Sequence, residues 1–143
     1  MRKELTESMS SNSNQIVANI QRAAQVDIPN ALGKGLERAC LIVERSAKSN
    51  APVQTGTLRN SISHKVNIGS LEGVIGTNLD YAPYVEVGTG IYSTQGGGRQ
   101  GGWFYIDAEG NGHFTMGSHP QPYLKPAVDE NLSAILNCFE GLI

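Results

Sequence analysis

Apolar residues recur every three or four positions over the first third of the chain. Ile16, Ile20 and Ala24 are followed by Ile28, Leu32, Leu36, Cys40, Val43 and Ala47. This spacing lays an apolar stripe along one helix face. Glu37, Arg38, Glu44, Arg45 and Lys48 fall on the opposite, solvated side. Pro29 lacks the N–H that a helix interior needs, so a kink or a fresh helix start is expected there. Gly33 and Gly35 each weaken a helix by about 1 kcal/mol relative to alanine. The helical pattern runs cleanly from Gly35 to Lys48, and Asn50 and Pro52 end it. Before Ile16 the chain is polar, with Ser8, Ser10, Ser11 and Ser13 close together, which predicts a flexible arm over residues 1–14.

The period then changes. Ile62, His64, Val66 and Ile68 alternate with Ser61, Ser63, Lys65 and Asn67, the pattern of a strand with one buried face. Gly69-Ser70 turns the chain, and Val74–Thr77 returns as the partner of an antiparallel hairpin. Val85-Glu86-Val87 reads as a further short strand. Gly88 and Gly90 follow it, suited to the positive φ of a tight corner. Trp103–Ile106 and His113–Met116 are aromatic and strand-like around turn material at 107–112, a second hairpin. Val128, Leu132, Ile135, Leu136 and Phe139 trace the apolar face of a final helix that Pro126 opens and Gly141 stops. Helix, hairpins, helix predicts an α+β fold. The expected form is a single antiparallel sheet of about four to five strands, packed against a long N-terminal helix and a C-terminal helix. Residues 15–143 form one domain in this reading, with a glycine-rich loop at 90–102.

Composition narrows the function. The net charge is -2, so nothing in the bulk charge favours wrapping a nucleic-acid backbone. No apolar run approaches a membrane span of roughly 20 residues. The N-terminus lacks the apolar core of a secretory signal, and Cys40 and Cys138 read as reduced thiols, so a cytoplasmic origin is expected.

Candidate chemistry is sparse. A phosphate-cradling loop needs a lysine and then Ser or Thr after its last glycine, whereas Gly101-Gly102 leads into Trp103 and a strand. His64, His113 and His119 carry no metal-ligand spacing, so neither a metal nor a cofactor is expected. Cys40 and Cys138 sit inside helical patterns, away from the helix starts that favour thiolates. Glu86 stands alone among apolar residues. It reads as an outward edge residue, a partner of Arg59, or an acid of raised pKa. No second carboxylate completes an acid–base pair, so no catalytic residue is assigned. Tyr81, Tyr84, Tyr92, Trp103, Phe104 and Tyr105 gather around the glycine loop, as packing or as an interface rich in hot-spot residue types.

Three stretches together resemble a known family. Ala51-Pro-Val-x-Thr-Gly-x-Leu-Arg-x-Ser-Ile62, Tyr81-Ala-x-Tyr-Val-Glu-x-Gly-Thr89 and Pro120-x-Pro-Tyr-Leu-x-Pro-Ala127 are similar to motifs of the Hong Kong 97-type phage gene-ten family. The matching positions are Pro52, Thr55, Gly56, Leu58 and Arg59, then Tyr81, Tyr84, Glu86, Gly88 and Thr89, then Pro122, Tyr123, Leu124 and Pro126. Gln54 stands where the family often has Asp, and Val87 where an aromatic is frequent. The resemblance implies a non-enzymatic virion component of a long-tailed phage or prophage, acting in the neck or in tail completion at the head–tail junction. It implies copies added to a ring, with head-completion, connector and tail proteins as neighbours. It also implies assembly in the host cytoplasm before entry into the virion. The glycine loop, with Tyr92, Gly96, Gly97, Gly98, Arg99 and Trp103, and the N-terminal arm are the expected contact segments. Two other readings stand beside it: an accessory nucleic-acid binder near the portal exit using Arg59, Lys65 and Arg99, and a small hydrolase built on Cys40 or Cys138 with a histidine such as His119.

Overall fold

The computed structural model describes residues 2–54 and 56–141, with side chains from Asn12 onward. Helix α1 (Arg2–Arg22) runs through a five-residue π-helical segment, Ala23–Asp27, into α2 (Ile28–Asn50). The wider π turn comes directly before Pro29, where proline cannot donate to the ladder. Pro29 sits in the first turn of α2, where its missing N–H does no harm. The backbone is thus helical from Arg2, through the stretch whose polar sequence suggested an arm.

Gly56 (φ +74°) starts the short helix α3 (Thr57–Ser61), which leads into β1 (Ser63–Asn67) and β2 (Glu72–Gly76). These strands pair antiparallel, with His64 opposite Ile75 and Val66 opposite Gly73. Gly73 lets β2 press onto α2: a Cβ there would stand 2.5 Å from the Cys40 sulfur. Helix α4 (Ala82–Val87) follows, then a 3-10 turn at Gly90–Tyr92, then β3 (Trp103–Ile106) and β4 (Gly112–Thr115). Phe104 lies opposite Phe114 and Tyr105 opposite His113 in this second hairpin. Two short helices, α5 (Leu124–Asp129) and α6 (Leu132–Asn137), complete the described chain.

The α+β class holds, but the strands form two separate two-stranded sheets rather than one sheet of four or five. Val85-Glu86-Val87 is helical, not extended, so the bridge expected between the hairpins is missing. Pro83 at the start of α4 fixes a helical φ, and that local preference overrides the β-branched valines. The final helix begins at Leu124, before Pro126, and breaks at Glu130–Asn131.

Helix α2 is the hub, touching α3, β1, β2, α5 and α6. Its buried face is small: Ala39, Cys40, Val43 and Ala47. Against Val43 and Ala47 pack Ala51, Leu58, Ile62, Ala82, Tyr123 and Ala127. Tyr123 and Ile62 are the largest fully buried side chains among the described residues. Gly35 serves the same close packing, since a Cβ there would stand 2.7 Å from the Phe139 ring.

Candidate assembly surfaces

The three motif stretches meet at one junction. Ala51 closes α2 with its N–H on the Ala47 carbonyl, and Leu58 drops into the core. Arg59 Nε donates to the Lys48 carbonyl at 2.8 Å, so it ties α3 to the end of α2 and is not the partner of Glu86. Thr55 lies outside the described residues.

Glu86 faces the start of α5. One carboxylate oxygen accepts from the Tyr123 N–H at 2.7 Å and the Leu124 N–H at 3.0 Å, and the other accepts from the Lys125 N–H at 2.9 Å. A helix start leaves such donors unpaired, and a carboxylate is the strongest neutral-pH acceptor for them. Glu86 is therefore neither an outward edge residue nor a free acid. It is a cap supplied from a distant element.

The chain near Glu86 is clamped to the third stretch from both sides. Gln121 N–H donates to the Val85 carbonyl at 2.8 Å, and Thr89 exchanges bonds with Ser118 through its N–H (2.9 Å) and its hydroxyl (2.8 Å). Gly88 has φ +79°, and a Cβ there would stand 2.8 Å from the Ser118 carbonyl and 2.9 Å from Pro120. The corner expected at Gly88 and Gly90 is present, the latter with φ +61°. Tyr123 is buried, and its hydroxyl reaches the Ala82 carbonyl at 3.4 Å. Burial first, then the Glu86 charge, then Tyr81, push its phenol pKa up. Pro126 lies within α5, and Pro122 is exposed beside it. Tyr81 and Tyr84 remain on the surface, 46% and 60% exposed. With Pro52, Thr57, Leu58 and His119 they line an open cleft of about 710 Å³.

The glycine loop carries the other predicted residues. Tyr92 lies against His119, with ring centroids 3.8 Å apart. The Arg99 guanidinium stands 5.5 Å from the Trp103 ring. Gly96 and Gly97 have positive φ and nothing within 4 Å of where a Cβ would be, whereas Gly98 abuts the Gly90 carbonyl. The loop thus closes on its own base, held by Thr94 on the Val87 carbonyl.

Beyond this loop the structure bares Phe104, which the sequence leaves open as packing or interface, and with it Ile106 and Phe114, which the sequence assigns only to strands. Phe104 is 80% exposed, Ile106 76% and Phe114 58%. The pairing register puts all three on one face of the β3–β4 hairpin. Trp103, Tyr105, His113 and Thr115 form the other face, with Tyr105 stacked on His113. At the tip Asp107 accepts from Glu109 N–H, Asn111 N–H and His113 Nε2. The His113 bond first, then the Asn111 N–H, holds the Asp107 carboxyl below its ordinary range. Ile16, Val17 and Ile20 on α1 are also more than half exposed. The signal was present in the sequence: Trp-Phe-Tyr-Ile is apolar on both strand faces, which a hairpin alone cannot cover.

The titratable groups do not converge on a reactive centre. His64 bridges two carboxylates of α2, Glu37 at 2.6 Å and Glu44 at a short contact, and Glu44 also binds Lys48 at 2.6 Å. The bonds to Glu37 and then Glu44 raise the His64 pKa, while Lys48 and then His64 lower that of Glu44. Burial, with Glu37 and Glu44 adding to it, pushes the Cys40 thiol up, the reverse of what a nucleophile needs. The Cys138 thiol donates to the Ala134 carbonyl. Among the described residues no cluster of three His, Cys, Asp or Glu could hold a metal ion, and no helix is long and apolar enough to cross a membrane.

The family model described as "Bacteriophage HK97-gp10, putative tail-component" matches residues 14–88, just over half of the chain. The chain belongs to this family. The match covers the first motif stretch and all of the second but Thr89, ending at Gly88, at the corner next to the Glu86 cap that contacts the third. The HK97-gp10 assignment gives a phage structural role and a place in the virion. No curated protein and no solved structure matches the chain.

Proposed function

We propose that this protein is a non-enzymatic neck or tail-completion component, added in copies to a ring at the head–tail junction. The observation that carries the proposal is exposed apolar surface on two different elements of a family member, the β3–β4 hairpin and α1. A ring needs contacts between unlike faces, because like faces close a dimer and go no further. The neighbours would be the head-completion, connector and tail proteins. Assembly would take place in the host cytoplasm. The motif junction, clamped through Glu86 and Thr89, is the rigid body from which the hairpin, the glycine loop and α1 are presented.

Electron microscopy of particles made with the gene deleted and then restored tests this. Full heads lying apart from finished tails, rescued on restoration, are the expected result. Tails of uncontrolled length would move the protein to tail termination, and normal infectious particles would remove the structural role.

A further inference from the structure

Helix α1 has little to lean on. Among the described residues it touches the π-helical segment that follows it and makes no other substantial contact with another element. Its residues from Ser8 to Gln21 carry no charge and include Ser and Asn in number, poor helix formers without side-chain ion pairs to help. In proteins most of a helix's stability comes from a packed apolar face, the more so where its residues are poor helix formers. The β3–β4 hairpin has a like deficit on its Phe104 face: among the described elements it makes no substantial contact beyond its own two strands, and a two-stranded hairpin is marginal alone.

The surface area agrees. The chain exposes 10317 Å², against roughly 7,100 Å² for a compact monomer of its 15.3 kDa. The excess of roughly 3,000 Å² exceeds the roughly 1,600 Å² that two half-interfaces of standard size would remove from each chain.

The two faces also fit each other. Ile16 and Ile20 are spaced about 6 Å along a helix axis, and Phe104 and Ile106 about 6.6 Å along a strand. Neither face would bury a charge. Strands β3 and β4 carry two titratable side chains, Tyr105 and His113, which stack on each other on the opposite face, with His113 also bonded to Asp107.

We infer that the Ile16–Val17–Ile20 stripe of one copy packs on the Phe104–Ile106–Phe114 face of the next copy. The inference rests on the ring reading above and names its contact. Each copy offers one helix and one hairpin, so the contact is head-to-tail, and the helix and hairpin at the two ends stay free to continue it.

The test mixes two defective proteins. One carries Ile16→Glu with Ile20→Glu, which keeps helix propensity. The other carries Phe104→Thr with Phe114→Thr, which keeps strand propensity. Analytical ultracentrifugation is expected to find the wild type assembled, each variant monomeric, and their mixture a one-to-one dimer of doubled mass. Ile106→Lys, next to the hairpin turn, should repeat the hairpin result should the double variant melt early.

Variants that each still assemble, a mixture that stays monomeric, or a wild type that is monomeric at high concentration would overturn the inference. Assembly through other surfaces would leave the particle role standing. Normal particles without the gene would remove that role without touching the mixing result.

Discussion

Glu86 binds two regions of sequence into one structure. Its carboxylate holds three backbone donors at the start of α5, 37 to 39 positions further along the chain. Removing it strands those donors, so Glu86→Ala should cost about 2–3 kcal/mol in urea unfolding, and Glu86→Gln less, because one acceptor oxygen survives. Equal midpoints for wild type and Glu86→Ala would show that water replaces the cap. Gly88→Val combines a positive φ with a clash against Ser118 and Pro120, and should lose at least about 2 kcal/mol or fail to fold. Leu71 offers the opposite case. It has φ +51° on the exposed β1–β2 turn, a strained conformation for a branched side chain. Leu71→Gly relieves about 1–2 kcal/mol of strain and gives back about 0.4–1 kcal/mol in unfolded-chain entropy, so its melting temperature should equal or slightly exceed that of the wild type.

His64 gives a pH dependence with a definite sign. Its folded pKa is raised above the ordinary 6.5, so its contribution is complete below that value and is lost as pH rises through the raised one. The Glu44 pKa is lowered from 4.5, so its contribution is complete above that value and is lost as pH falls through the depressed one. The stability difference between wild type and His64→Gln should therefore peak between pH 4.5 and 6.5 and decline above it. A difference that stays at its plateau value both as pH rises well above 6.5 and as it falls well below 4.5 would show the cluster to be electrostatically idle.

At the scale of elements, α2 was legible and α4 was not. The α2 periodicity names its own buried face, because Val43 and Ala47 recur at helical spacing and are buried as the pattern requires. The strands β1, β2, β3 and β4 were visible from alternation and turn residues. The Val85–Val87 segment misled because three residues cannot display a period, and the proline two positions earlier decided the outcome. Likewise the polar N-terminus suggested an arm, and its backbone is helical from Arg2. We propose that it behaves as an arm nonetheless until it is covered. Hydrogen exchange in a monomeric variant should be fast along α1 and through Gly96–Gly102, and α1 should gain protection on assembly. Strong protection of α1 in the monomer would mean that it finds support within its own chain.

For the whole molecule, sequence alone determined the family, the α+β class, the central helix, the two hairpins and the Gly88 corner. Each of these is written in local periodicity, in backbone chemistry at Gly and Pro, or in short ordered motifs. Only the tertiary structure decided that Glu86 caps a helix rather than facing solvent or Arg59, since its partners are backbone groups far along the chain. Only the structure, too, separated the apolar residues that are buried from those left bare. Tyr123 and Phe104 are both aromatic residues in apolar runs, yet one is 1% exposed and the other 80%. The physical reason is that hydrophobicity states how much a side chain gains by leaving water, whereas the packing of α2, α4 and α5 sets which side chains the monomer can cover.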